Sequence, residues 1–363
     1  MSTLETNLIQ PATGTTVTLG ASGDTIDASN ADFKPKYQLG NRNLIINGAM
    51  QVAQRATQVT GVTTTNYYTC DRWRTGITTI GTWTIDQSTD APNGFSNSLK
   101  MTCTTADASP VAGGACIIQN RIEAQNLQHL GFGTADAKSM TLSFWVKSNK
   151  TGNASFEAFQ DDNSYKLFSN SYSINSANTW EYKTISIPAD TAGVINNDNG
   201  LGVQFGWWLN SGSNFSGGSH ATTWSTYNGT NRNVSNLGVG GAVNDYFAIT
   251  GVQLEIGDVA TPFEHEFFGN TFAKCQRYYE KTDRDCYIGM SWGLANTTGA
   301  VRGNISFNTS KRAVPTITYS SVSTNWSAYN ITVSIQGVCV ECGASVATTD
   351  ARPKFSFVAD SEL

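Results

Sequence analysis

The chain is short of charge. Lys and Arg number 23 and Asp and Glu 28, so charged residues make up 14% of 363 positions, where an ordinary soluble domain carries about 25%. The net charge of −5 and the absence of any Lys/Arg run exclude the basic field that a nucleic-acid partner requires. No stretch approaches the roughly 18 consecutive apolar residues of a spanning helix, so membrane insertion is not expected. The opening MSTLETNLIQ lacks a basic segment followed by an apolar core, and the expectation is synthesis without a secretory leader. Seven cysteines, odd in number and scattered, fit folding in a reducing cytoplasm without dependence on disulfides. Histidine is scarcer still. None of His129, His220 and His265 lies in an HExxH pattern or beside a nucleophile motif, and neither a GxSxG elbow nor a P-loop is present. Short repeats of the β-helix kind are also missing. No catalytic residue is assigned, and the chain is not expected to be an enzyme.

What is abundant is Thr (45), Ser (34), Asn (32) and Gly (34), with aromatics at 11%. This is the composition of an all-β protein, and the aromatics set it apart from a disordered one. In Met140 to Lys147, Met140, Leu142, Phe144 and Val146 share one face, and Thr141, Ser143, Trp145 and Lys147 the other. In Leu201 to Asn210, Val203, Phe205, Trp207 and Leu209 alternate with Gly202, Gln204, Gly206 and Trp208. One-sided strands of this kind belong to antiparallel sheets stacked as a sandwich. Between Phe247 and Ile256 the apolar phase slips by one at Thr250-Gly251, which predicts a β-bulge. Asn270 to Tyr279 reads as a turn or two of helix giving way to a strand near Arg277. Beyond it, Ile331, Val333 and Ile335 alternate with polar residues. The first forty residues have no aromatic before Phe33 and could supply one short strand around Val17 and Leu19. They are too poor in large apolar side chains to offset their own ordering entropy, so association with other chains is the way to bury Val17, Leu19, Ile26 and Phe33.

Sites of chemistry are sparse. Cys339-Val-Glu-Cys342 lacks the second ligand pair of a zinc site, and i and i+3 of a strand face opposite ways, so two separate core thiols are expected. Asp161-Asp162 and Asn196 to Gly200 invite calcium, but Ile195 sits where an oxygen ligand belongs and no Glu closes the loop. Paired carboxylates for glycan hydrolysis are not assignable from sequence. Aromatics are the better lead, because sugar rings stack apolar C–H faces on Trp and Tyr while amides and carboxylates hold the hydroxyls. The candidate ligand residues are Trp145 and Trp208 on polar strand faces, Trp224 and Tyr227 in the loop TTWSTYNGTN, and Trp292, Trp326 and Tyr329 nearer the C-terminus. For each, the competing role is packing under a loop or against a neighbouring subunit. Trp73, Trp83 and Trp207 are expected in the core.

The ordered set NLIINGAMQVAQR (43–55), DRW (71–73), TLSFWVKS (141–148), FAITGVQLEIGDVATPFEH (247–265) and CQRYYEK (275–281) resembles a module of phage tail-fibre and related virion proteins, common in phages of aquatic bacteria. It covers about two thirds of the chain. The resemblance implies a jelly-roll β-sandwich similar to carbohydrate-binding modules and a place on a virion, often as a trimer. It supplies no ligand residue. Arg312 to Ile317 is similar to a tip domain that follows in such fibres. Jelly-roll carbohydrate modules often hold a structural calcium, which is kept as a candidate without named ligands; no other cofactor is expected. The combined expectation is a docking arm at 1–40, a jelly roll at 41–268 and a small β tip or trimerisation domain at 269–363. The chain is expected to act as a non-enzymatic virion fibre or spike, a homotrimer made in the host cytoplasm. It would bind other virion proteins through 1–40 and a host-surface glycan during adsorption. The rivals are a head fibre or capsid decoration protein, and a glycan depolymerase.

Overall fold

A computed structural model of the chain describes residues 41–162, 165–282, 286–287, 300–321, 326–344 and 354–363. The arm expected at 1–40, with Val17, Leu19, Ile26 and Phe33, lies outside the described residues. Thirteen strands build the larger part: β1 (Gln58–Val62), β2 (Asn66–Tyr67), β3 (Trp73–Thr78), β4 (Thr82–Ser88), β5 (Ser98–Thr105), β6 (Ala115–Glu123), β7 (Met140–Ser148), β8 (Gly152–Gln160), β9 (Lys166–Ile174), β10 (Glu181–Ile187), β11 (Leu201–Ser211), β12 (Ser225–Thr226) and β13 (Tyr246–Ile256). They form a six-stranded sheet in the order β1-β4-β5-β13-β7-β10 and a seven-stranded sheet in the order β12-β9-β8-β11-β6-β3-β2. Every pairing is antiparallel. The protein is therefore all-β, with an antiparallel jelly-roll sandwich. Among the described residues no helix is long and apolar enough to cross a membrane.

Alternation decides which side chains meet between the sheets. Phe144 of the first sheet stands edge-on to Trp207 (5.8 Å) and Tyr172 (5.1 Å) of the second, and Trp73 lies 5.4 Å from Trp207. Trp73, Trp83 and Trp207 are buried, as expected. Each such side chain contributes about 1.5–3 kcal/mol on leaving water. The phase slip at Thr250-Gly251 is a register shift between β13 and β7. Gly251 has φ +58°, and a Cβ there would lie 2.6 Å from the Phe95 ring, so both the backbone and the space require glycine.

A short helix α1 (Ser213–Ser216) lies within the sandwich in the β11–β12 connection, and α2 (Phe268–Gln276) follows the sandwich. The second helix begins two residues before the expected cap, with Phe267 in place of Asn270, and gives way to β14 (Tyr279–Lys281). Then follow β15 (Cys286–Tyr287), β16 (Ala300–Ser306), β17 (Thr316–Ser321), β18 (Trp326–Val333), β19 (Gly337–Ala344) and β20 (Lys354–Asp360). Phe307, Val338, Val340, Phe357 and Ala359 make a second, smaller apolar cluster.

The motifs of the resemblance converge on the junction between these parts. Asn47 donates to the carbonyls of Val52 and Asp71 (both 2.9 Å) and accepts, through its own carbonyl, from Trp73 Nε1. Gln54 donates to Asp71 and to the Tyr279 carbonyl (2.8 Å). The Arg55 guanidinium lies 3.6 Å from the Tyr279 ring centre, and that of Arg72 3.4 Å from Tyr278. Arg72, 1% exposed, pairs with Glu362 and donates to the Arg121 carbonyl. Burial opposes its charge, but Glu362 holds its pKa above the ordinary value. Asp71 is pushed up to about 6 by burial, against the pull of Arg55 and Gln54. Arg277 forks onto Glu123 through two 2.8 Å bonds. Glu264 accepts from the Arg42 and Asn43 amides, and Gln253 and Glu255 bond Glu264 and Thr261. The signature polar residues are thus occupied in holding the fold.

Candidate functional site

The outer face of the seven-stranded sheet carries the side chains of opposite parity to its core. Phe159 of β8 stands beside Gln204 of β11, and Gln204 beside Arg121 of β6. In the next row Glu157, Gly206, Gln119 and Arg74 follow one another across β8, β11, β6 and β3. Gly206 has no side chain because the space over it is already filled: a Cβ there would meet the Ile117 side chain at 2.6 Å and that of Glu157 at 3.0 Å. Over this floor runs an open groove of about 700 Å³, lined by Gln119, Arg121, Phe159, Asp161, Gln204 and Arg232 together with Tyr165, Leu201, Thr226 and Tyr227. Its size is that of a small-ligand site.

One wall is aromatic. Phe159 stacks on Tyr165 (5.7 Å, 23°) and meets Tyr227 edge-on (5.4 Å). The Tyr227 amide donates to the Tyr165 carbonyl at 2.8 Å, which ties two loops together. Both tyrosines face solvent, 57% and 40% exposed. Arg232 closes the floor on this side with a two-pronged pairing to the fully buried Glu157. Burial disfavours the Arg232 charge, yet Glu157 keeps its pKa above the ordinary value.

The structure separates the expected ligand residues. Tyr227 is in the groove. Trp208 is not exposed: it keeps the outward parity but is 1% accessible, roofed by Phe215 of α1 (5.2 Å) and the Arg232 guanidinium (4.9 Å). Trp224 is half-buried against the core, edge-on to Phe132, and its Nε1 donates to the Pro188 carbonyl at 2.8 Å. Trp145 lies half-buried on the outer face of the other sheet, paired with Tyr182 at 5.4 Å. Trp292 lies outside the described residues. Trp326 and Tyr329 lie in β18, and their side chains are outside what is described. Phe159 and Tyr165 were missed. Phe159 shares the parity of Ser155 and Glu157, which was the available signal.

The two calcium-inviting segments do meet, since Asp162 accepts from the Asn196 amide and side chain (both 3.0 Å). Burial, with Asp198 and Asp161 nearby, raises the Asp162 pKa. Among the described residues no group of three or more His, Cys, Asp or Glu could hold a metal. Cys339, expected as a core thiol, is exposed, because Val338 and Val340 take the buried parity of β19.

No family model matches the chain, and no curated protein matches it. Among solved structures it is similar to the enzymatically active domain of tailspike protein 4 of bacteriophage CBA120, at 14% identity and a TM-score of 0.30, over 59% of this chain and 21% of that one. It therefore spans about a fifth of that domain's length. It is also similar to a family 61 carbohydrate-binding module in complex with β-1,4-galactotriose, at 8% identity and TM-score 0.29, over 60% of this chain and 100% of the module. A third is the Clostridium thermocellum xylanase 10B, whose CBM22-1 and GH10 modules are complexed with xylohexaose, at 9% identity and TM-score 0.30, over 59% of this chain and 29% of that one.

Proposed function

We propose that the protein is a non-enzymatic glycan-binding fibre or spike of a phage particle, acting in adsorption to the host surface. The observation that carries the glycan reading is the groove. Two exposed tyrosines on a Phe159 base offer apolar platforms for sugar rings, and Gln119, Arg121 and Gln204 face them across the floor. Binding without hydrolysis is part of the proposal, since Asp161 is the single carboxylate among the lining residues, and glycosidic chemistry uses two. The virion location, the docking role of residues 1–40 and the homotrimer rest on the sequence resemblance. Three copies of a weak site would act through avidity.

Stacking on one tyrosine contributes on the order of 1 kcal/mol. Tyr165→Ala or Tyr227→Ala should weaken attachment to host cells about fivefold per site, and the pair more, with the melting temperature unchanged. Undiminished attachment by the double variant removes the groove from the proposal. Release of reducing ends from host polysaccharide would favour the depolymerase instead.

A further inference from the structure

Which sugar the groove takes follows from how its polar wall is wired, granted the glycan reading above. Arginine donates hydrogen bonds and accepts none. Arg74 Nη1 donates to Gln119 Oε1, and Arg121 Nε to Gln204 Oε1 at 2.9 Å. Each amide is therefore held with its oxygen towards an arginine and its NH2 group turned the other way. Arg121 Nη1 is spent on the Leu363 main-chain oxygen (2.6 Å), while among the described residues its Nη2 makes no hydrogen bond. The wall thus offers donors: two amide NH2 groups and the Arg121 guanidinium.

Charge points the same way. Arg232 is neutralised by Glu157. Among the described residues neither Arg74 nor Arg121 has an Asp or Glu side chain at ion-pair distance. Burial and the Arg121 charge together lower the Arg74 pKa, so the two guanidinium groups stand near enough to repel each other. A neutral sugar, whose hydroxyls both donate and accept, leaves that repulsion in place; an anion relieves it. Asp161, on the lining as well, steers the anion towards Arg121. We propose that the groove selects an acidic glycan, with a sugar carboxylate lying against Gln119, Arg121 and Gln204 while an apolar sugar face rests on Tyr165 and Tyr227.

The test uses the full chain and three polyuronates (alginate, polygalacturonate and hyaluronate), each beside its carboxyl-reduced form. At least one native polymer should bind, and its reduced form at least tenfold more weakly, because hydrogen bonds to charged groups are the strong ones. Binding should weaken on going from low to high salt. Arg121→Gln should lose ten- to a hundredfold. Arg74→Gln, which leaves the Leu363 contact in place, should lose less but in the same direction, with unchanged melting. Binding that survives carboxyl reduction, or that none of the three polymers shows, overturns the acidic selection. If the tyrosine variants still abolish host attachment in that case, the glycan-binding reading stands alone. If they do not, both fall.

Discussion

Replacing Arg72 with Met is the sharpest probe of the junction. Arg72 is 1% exposed, pairs with Glu362, donates to the Arg121 carbonyl and lies flat on Tyr278. Glu362 is itself only 5% exposed in its side chain. Removing one partner of such a pair leaves an uncompensated buried charge, a loss of about 3–5 kcal/mol. Arg55 also reaches Glu362 at 3.4 Å, so the lower end of that range, ~3 kcal/mol, is expected. In a domain of this size that lowers the melting temperature by roughly 6–12 °C. Removing both charges behaves differently, because two apolar side chains need neither pairing nor hydration. Arg72→Met with Glu362→Met should therefore recover most of the loss. The assay is denaturant unfolding of the wild type, both single variants and the double variant, read as a cycle. A loss below 1 kcal/mol for Arg72→Met, or a double variant as unstable as the sum of the singles, would refute the claim that this pair locks the junction.

Two further outcomes follow from named contacts. Asp71, with its pKa pushed up to about 6, binds its proton more tightly in the folded state than in the unfolded, where the value is about 4. Its contribution to stability is complete below pH 4 and is lost as pH rises through 6, by up to roughly 3 kcal/mol. Asp71→Asn should gain on the wild type by that much between pH 4 and 8, and parallel pH–stability curves would contradict it. Trp224→Ala should cost roughly 2–4 kcal/mol, because a half-buried ring and its bond to Pro188 are lost, whereas Tyr227→Ala should leave melting unchanged; equal effects on stability would overturn the division between core and groove.

Strand placement was legible from composition and parity, but the single buried face was not, since Leu201–Ser211 is buried on both faces at nearly every position. Met140–Ser148 and Leu201–Ser211 pair as alternation requires, and the slip at Thr250-Gly251 is the bulge it suggested. Parity told which face Trp208 points to, but not what lies on that face. The roof over it comes from α1 and Arg232, brought in by a long Gly- and Ser-rich connection whose path has no periodicity to read. The groove was half legible for the same reason. Tyr227 was visible as an aromatic in a polar loop, but its partner Tyr165 comes from the β8–β9 turn, and only the paired sheet brings the two together. Trp224 sits three residues before Tyr227 in the same polar stretch, and nothing in the local sequence tells its inward ring from the outward one.

The low charge content, finally, bears on how fold and ligand site divide the chain between them. Carboxylates of Glu123, Glu157, Glu280 and Glu362, each between 0% and 5% exposed, are paired with Arg277, Arg232, Lys311 and Arg72, and Glu362 is reached by Arg55 as well. Such pairs contribute little net stability against apolar replacements, but they penalise any arrangement that leaves one partner behind. Where charges are few, a mispaired one has few alternatives, so the two pairs that cross the junction, Glu123 with Arg277 and Glu362 with Arg72, select a single way of seating the C-terminal strands on the sandwich. The residues of the recognisable motifs serve that seating: Asn47, Gln54, Arg55, Asp71, Arg72, Gln253, Glu264, Tyr278 and Tyr279 all face inward partners. Phe159, Tyr165, Gln204, Tyr227 and Arg232 lie outside those motifs. A substitution at Phe159, Tyr165 or Tyr227 therefore removes no partner from the junction, and these groove residues can change without loosening it. Arg121 is where the two meet, since its carbonyl takes a bond from Arg72 while its guanidinium lines the groove.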